Sequence, residues 1–261
     1  MVVRPGRGAV VEVHWGIDRT TTDRGFKESR AAVSARLSIV IPCLNEGEML
    51  IDLLQALQYL RHQGHELILV DGGSEPAPDQ SLRGWVDHLL VSEPGRAQQM
   101  NRGAAIATGE LFWFLHADTQ LTPGSEQPML EPPVDESLWG RFDIRLSGRH
   151  TLLRVVERMM NWRSRVTGIA TGDQGIFIHR KLFQKVGGFP LQPLMEDVEI
   201  SRRLKRHASP RCLKQQLITS SRRWESAGIV STILLMWGLR LAYWAGVSPR
   251  RLVEFYRNHR H

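Results

Sequence analysis

Four short runs, LSIVIP (37–42), ELILVDGGS (66–74), HLLVS (88–92) and ELFWFLHAD (110–118), each hold an apolar stretch with many branched or aromatic residues. Strands that alternate apolar and polar residues keep one wet face, whereas strands apolar throughout are covered on both faces, as in a parallel sheet between layers of helices. The intervening segments fit that picture. EMLIDLLQALQYLRHQ (48–63) repeats apolar residues at helical spacing, and GRAQQMNRGAAIATG (95–109) reads as a helix closed by glycine. The alternation predicts an α/β fold: a Rossmann-like, mainly parallel sheet flanked by helices, with further helices toward the C-terminus.

In open parallel sheets, ligands bind beyond the carboxyl ends of the strands. Three of these ends turn abruptly polar. Pro42, Asn45 and Glu46 follow the first strand, Asp71 closes the second, and His116 and Asp118 close the fourth. They are expected to converge on one edge.

Composition narrows the class. With 261 residues, 42% of them hydrophobic, the chain can bury a sizeable core as one large domain or two small ones. Cys43 and Cys212 are far apart in sequence and have no partner at metal-ligand spacing, so neither a disulfide framework nor a zinc site is indicated, and a reducing cytosol is the expected setting. The net charge of +7 is uneven: Ile200 to His261 hold 13 Lys and Arg against two acids. A phosphate-bearing partner or an anionic membrane near that end would account for this, as would a plain solvated basic surface. Residues 1–36 are rich in Arg, Thr and Gly and lack the continuous apolar core of a secretory signal; they read as a disordered leader, with an amphipathic transit-type or upstream-extended start as the alternatives.

The ordered set IVIPCLNE, ILVDGGS, GRAQQMNRGA, FLHADT, GDQGIFIHR and MEDVEISRRL resembles the family 2 inverting glycosyltransferases of the GT-A fold, over residues 37–226. It is most similar to a bacterial branch that includes arsenosugar-biosynthesis and carotenoid (diaponeurosporenoate-type) glycosyltransferases and shows HADT and GDQG segments. The resemblance implies a nucleotide-sugar donor and a divalent cation, Mg²⁺ or Mn²⁺.

It also implies roles. Asp71 would accept a hydrogen bond from the uracil imide, against the alternative of capping its own Gly-Gly turn. Pro42, Asn45 and Glu46 would line the base and ribose, although Asn45 and Glu46 also suit a helix cap. Arg96 would meet a base carbonyl or phosphate, with Asn101 beside it. HADT stands where the family carries Asp-X-Asp, so Asp118 would hold the metal, while His116 either ligates a softer ion or hydrogen-bonds the ribose. Gly172, Asp173 and Gln174 would floor the acceptor site.

Glu196 and Asp197 open a helix, where acids are favoured by the helix dipole whatever the function. Through the resemblance Asp197 becomes the general base and Glu196 its companion. In SSRRWES, Arg222 and Arg223 would stabilise the departing diphosphate and Trp224 would touch the acceptor. The glutamine of the Gln-X-X-Arg-Trp motif of polymer-forming relatives is missing, which favours single transfer to a discrete acceptor.

Two further segments bear on membranes. The helix through LLRVVERMMNW places apolar residues 152, 153, 156, 159 and 160 on one stripe among arginines, which suits core packing or an anionic lipid surface. GIVSTILLMWGLRLAYWAGV (228–247) has the length of a span, but Arg240 sits near its middle. It reads as a helix that packs on the domain or lies at a membrane surface, making residues 227–261 a C-terminal helical unit and a lipid-like acceptor plausible. The expected location is the cytoplasm, at the inner face of the cell membrane. Two rival classes are weighed: a nucleotidyltransferase, against which the acidic PCLNEGEM loop argues, and a nucleic-acid-binding module, which leaves the ordered acid clusters unexplained and nucleic acid off the expected partners.

Overall fold

The computed structural model describes residues 35–78, 80–131 and 134–258, with the side chains of residues 80, 223 and 258 excepted. Residues 1–34 of the expected leader therefore lie outside the described residues. Ala35 is buried, and the Arg36 carbonyl accepts the amides of Glu110 and Leu111 at 2.8 and 3.2 Å.

The strands are β1 (Leu37–Cys43), β2 (Glu66–Asp71), β3 (His88–Val91), β4 (Leu111–Phe114), β5 (Trp139–Leu146), β6 (Phe177–His179) and β7 (Arg211–Thr219). The helices are α1 (Glu48–His62), α2 (Arg96–Ile106), α3 (Gln127–Leu130), α4 (Thr151–Thr167), α5 (Arg180–Lys185), α6 (Glu196–Lys205), α7 (Arg222–Ser226), α8 (Ile229–Trp244) and α9 (Pro249–Asn258). The sheet runs β3-β2-β1-β4-β6-β5-β7. Only β6 opposes both of its neighbours, so the remaining strands share one direction and the sheet is mainly parallel, as the apolar runs predict.

The reason lies in the pleat. In β1, Leu37, Ile39 and Ile41 face one layer and pack with Leu50, Leu53 and Leu57 of α1. Val40 faces the other, with Ile68, Val70 and residues Ala97 and Met100 of α2. Every residue of β1, β2 and β4 is buried. Two-sided burial of this kind contributes about 1.5–3 kcal/mol for each large apolar side chain.

β7 carries no continuous apolar run, since Lys214, Gln215 and Gln216 are exposed in its middle, which is how an edge strand escapes a hydrophobic scan. Helix α4 also departs from the expected pattern. Leu153 and Val156 are buried, but so are Glu157 and Asn161, while Leu152 and Met159 of the predicted stripe are exposed with Val155, Trp162 and Val166. The polar inner face meets backbone that the sheet leaves unpaired, since β5 pairs with β6 only at Trp139 and Gly140. Pairing of β5 with β7 shifts register between Phe142 and Asp143 and then resumes. Beyond these points Asn161 clamps both the amide and the carbonyl of Ile144, at 2.9 and 3.0 Å, and Glu157 accepts the amide of Leu146.

Helix α8 spans 16 residues. Among the described residues no helix is long and apolar enough to cross a membrane. Thr232 and Leu239 face inward, whereas Val230, Leu234, Trp237, Leu241 and Trp244 form an exposed stripe at spacings of three and four.

Candidate active site

A cavity of about 1380 Å³ opens at the carboxyl edge of the parallel strands and extends between α4, α8 and α9. The β1 end supplies Pro42, Cys43, Leu44 and Glu46; the β4 end supplies His116, Ala117 and Asp118. The loop after β4 is fixed at both sides. Thr119 donates to the His116 carbonyl at 3.1 Å, and Gln120 bridges to Ile218 of β7 in both directions, at 2.7 and 3.0 Å. His116 packs so closely on Gly172 that a methyl group there would lie 2.5 Å from its Nε2. HADT and GDQG, far apart in sequence, thus touch.

Two charge clusters share the cavity. The first joins Glu46, Asp118, Arg96 and Arg222. Burial raises the Glu46 carboxyl above its usual range, and the nearby Asp118 charge raises it further, while Arg222 and Arg96 oppose the shift. Arg96 is the first residue of α2, and Arg222 opens α7 with its Nε on Ser220 Oγ at 3.2 Å.

The second cluster joins Glu196 and Asp197 with Asp173, Arg163 and Arg240. Met195, in a left-handed conformation, turns the chain so that α6 begins with both acids at the cavity. Glu196 is pushed up to about 7, first by burial and then by the Asp197 charge, with Arg96 opposing. Arg96 therefore links the two clusters. Asp197 is held at both oxygens: Oδ2 accepts the Gly172 amide at 2.9 Å and Oδ1 that of Val198 at 2.7 Å. Burial raises Asp173, and the neighbouring Asp197 adds to this against the pull of Arg240 and Arg163.

Several predicted residues are committed elsewhere. Asp71 is 3% exposed and caps its own turn, accepting the amides of Gly73 at 3.1 Å and Ser74 at 3.0 Å, the role its Gly-Gly sequence also allowed. Asn45, at φ 55°, donates its amide to Ser74 Oγ and accepts from Glu75. Asn101 grips the backbone of Phe189 from both ends of its amide, at 2.8 and 2.9 Å. Gln174 is fully buried; its Oε1 accepts the Thr171 amide at 3.0 Å in a capping box. Trp224 reaches the cavity while packing with Leu146, Leu153 and Val156. The Arg223 side chain lies outside the described residues.

Arg163 and Arg240 line the cavity and were not among the predicted site residues. The signal for Arg240 was its isolation in an apolar stretch. Arg163 had none, because it is one of several arginines along α4.

A divalent cation is tested against the donor set. Glu46 and Asp118 are two hard carboxylates whose mutual repulsion an ion would relieve, and the described residues contain no group of three or more metal-ligating side chains. Two carboxylates alone do not make a closed metal site; a Mg²⁺ ion held there would take the rest of its shell from substrate phosphate and water.

A Glycosyl transferase family 2 model matches residues 38–180. Over 156 residues the chain is 31% identical to an undecaprenyl-phosphate 4-deoxy-4-formamido-L-arabinose transferase of Yersinia pestis, a match that covers 55% of this chain and 47% of the relative. The corresponding enzyme of Yersinia pseudotuberculosis matches to the same extent. The chain thus spans about half the length of the curated relatives it matches. Among solved structures, a mannosyltransferase from Pyrobaculum calidifontis in complex with GDP-Man and Mn²⁺ superposes with a TM-score of 0.53 at 19% identity, over 72% of this chain and 57% of that one. The sheet and its flanking helices are those of the GT-A glycosyltransferase fold.

Proposed function

The chain belongs to glycosyl transferase family 2 and is a glycosyltransferase, and from that premise we propose that it moves a sugar from a nucleotide sugar, in our reading a UDP-sugar, to a hydroxyl or carboxyl of one discrete, lipid-like acceptor, with inversion. The observation that carries this is the meeting of two charge clusters in one cavity, one rich in arginine around Glu46 and Asp118, the other built on Glu196 and Asp197.

In this reading Asp197 is the general base. Its backbone hydrogen bonds fix the carboxylate without neutralising it, so it can take the proton of the acceptor oxygen as that oxygen attacks the anomeric carbon. The new bond forms on the face opposite the nucleotide, and the old carbon–oxygen bond breaks with its electron pair leaving on the diphosphate. Arg96 and Arg222 neutralise that charge. Asp118 and Glu46 would hold a divalent cation, which when bound supplies Lewis-acid stabilisation of the same diphosphate. His116, wedged on Gly172, positions the metal-side loop against the acceptor side. Glu196 sets the local potential around the base. HADT and GDQG favour the branch of arsenosugar-biosynthesis and carotenoid-type enzymes.

The lipid-like acceptor has two supports: the apolar walls between α4, α8 and α9, and the undecaprenyl-phosphate named for the Yersinia relatives. The exposed stripes of α4 and α8 beside a basic C-terminal segment support peripheral contact with the inner face of a membrane. Calorimetric titration with UDP, UDP-glucose and GDP-mannose, with and without Mn²⁺, tests the function. Metal-dependent binding of at least one is expected, and binding of none overturns the reading.

A further inference from the structure

Arginine at the centre of an apolar helix is costly unless something compensates it. Arg240 is the one charged residue between positions 228 and 247, yet α8 turns it into the cavity, not outward with the apolar stripe. There it lies near Arg163 of α4, and each guanidinium carries a shielded Nε without a hydrogen-bond partner among the described residues; so is the Nη2 of Arg163. Arg163 makes one long hydrogen bond, to the Ile169 carbonyl at 3.4 Å. Burial, and then the charge of Arg240, hold Arg163 down to about 10. Asp173 and Asp197 attract the pair without satisfying it. Asp173 Oδ1 is itself shielded and unpartnered, and Asp197 is taken up by backbone amides. Two half-buried cations with shielded, unpartnered nitrogens, facing carboxylates they do not bond, leave a gap that suits a group with anionic oxygens.

The walls beyond the pair are apolar. Met159 and Met160 come from α4, Ile233 and Met236 from α8, and Val253 from α9. Arg240 also lies outside residues 38–180, so the site depends on helices beyond the segment that matches the family model.

We propose that Arg163 and Arg240 form the binding site for the anionic head of an amphiphilic acceptor, whose chain runs between α4, α8 and α9 while a hydroxyl beside the head faces Asp197. The inference rests on the glycosyltransfer reading above and adds the chemical class of its acceptor. It is a binding site and adds no covalent step.

The probe is decanoyl glycerol phosphate, which has a phosphate, a free hydroxyl and an apolar chain. Decanoylglycerol lacks the anion and glycerol phosphate lacks the chain, so together they separate an amphiphile from free phosphate. Binding is read from tryptophan fluorescence, since Trp224 and Trp237 line the cavity. The probe is expected to bind about tenfold or more tighter than either control. Arg240→Met and, separately, Arg163→Met should lose that advantage, and Arg240→Lys should keep part of it. Equal binding of decanoylglycerol, equal binding of glycerol phosphate, or unchanged probe binding by both methionine variants overturns the proposal. Thermal melting of each variant identifies any that fails to fold, and the three ligands compared on the unaltered protein decide without it. Nucleotide-sugar titration of the same samples separates the two readings. Donor binding without probe binding sinks the anion site alone, whereas probe binding without donor binding sinks the glycosyltransfer reading and the acceptor role with it, leaving an anion-binding site.

Discussion

At the scale of single residues, Asp197 and Asp118 are assigned different roles, and substitutions should separate them. Asp197→Asn keeps an acceptor for the Gly172 amide but loses the base, so turnover should fall by about 10²–10⁴-fold with nucleotide-sugar affinity nearly unchanged. Asp118→Ala should instead remove the Mn²⁺ dependence of donor binding, read in the same calorimeter. Normal turnover by Asp197→Asn would show the base to be elsewhere. Glu196 makes a separate prediction about stability. Its folded pKa, about 7, lies above its ordinary 4.5, so the folded state holds the proton more tightly than the unfolded one. Its favourable share is therefore full below pH 4.5 and lost as pH rises to about 7. Glu196→Gln should stabilise the protein at pH 8 by up to about 3 kcal/mol, less at pH 5, in urea unfolding. Equal effects at both pH values would remove that account. Cys43 stays outside this chemistry: burial and then Asp71 push its thiol up to about 12, so it remains protonated.

At the scale of elements, legibility followed burial. β1, β2 and β4 were readable because both faces are covered and their polar residues, Ser38, Glu66 and Asp71, sit at or next to the strand ends. β7 was not, because an exposed edge tolerates Lys214 and two glutamines. Helix α4 misled for a related reason: its inner face serves β5 backbone left without a β6 partner, through Glu157 and Asn161, so hydrophobicity no longer marks the buried side. Gly140 tests the β5–β7 junction itself. A Cβ there would stand 2.1 Å from the Arg211 carbonyl oxygen, backbone that cannot move without breaking the pairing. Gly140→Ala should cost about 2 kcal/mol or more, seen as a lower unfolding midpoint. Gly172→Ala meets only a side chain, His116, so it should lower donor affinity several-fold with little loss of melting temperature.

For the whole molecule, charge and apolar surface point the same way. Helices α4 and α8 each carry an exposed apolar stripe, and α8 belongs to a C-terminal sequence, residues 200–261, with 13 Lys and Arg against two acids. The protein should sediment with phosphatidylglycerol-containing vesicles more than with pure phosphatidylcholine, and added salt should weaken the difference. Trp237→Glu together with Leu241→Glu should reduce sedimentation at low salt, and vesicle binding indifferent to lipid charge and to these changes would exclude the surface. The candidate site was legible where it rests on strand ends and on one helix start, since Glu46, His116 and Asp118 after the strands and Glu196 and Asp197 at the head of α6 all line the cavity. Polar residues such as Asp71, Asn101 and Gln174 carry the same sequence signal while holding turns and backbone, and a sequence cannot tell which way such an amide or carboxylate faces.

The order of the parts along the chain has a consequence in time. Every described strand precedes Ser220, whereas α8 and α9, which wall the far end of the cavity, follow it. A chain emerging from the ribosome can complete its sheet, and with it the strand-end part of the proposed nucleotide site, before those walls exist. Until they arrive, the cavity at Asp197 lacks two of its walls, and under the proposed mechanism water has the access to a bound donor that the acceptor should have.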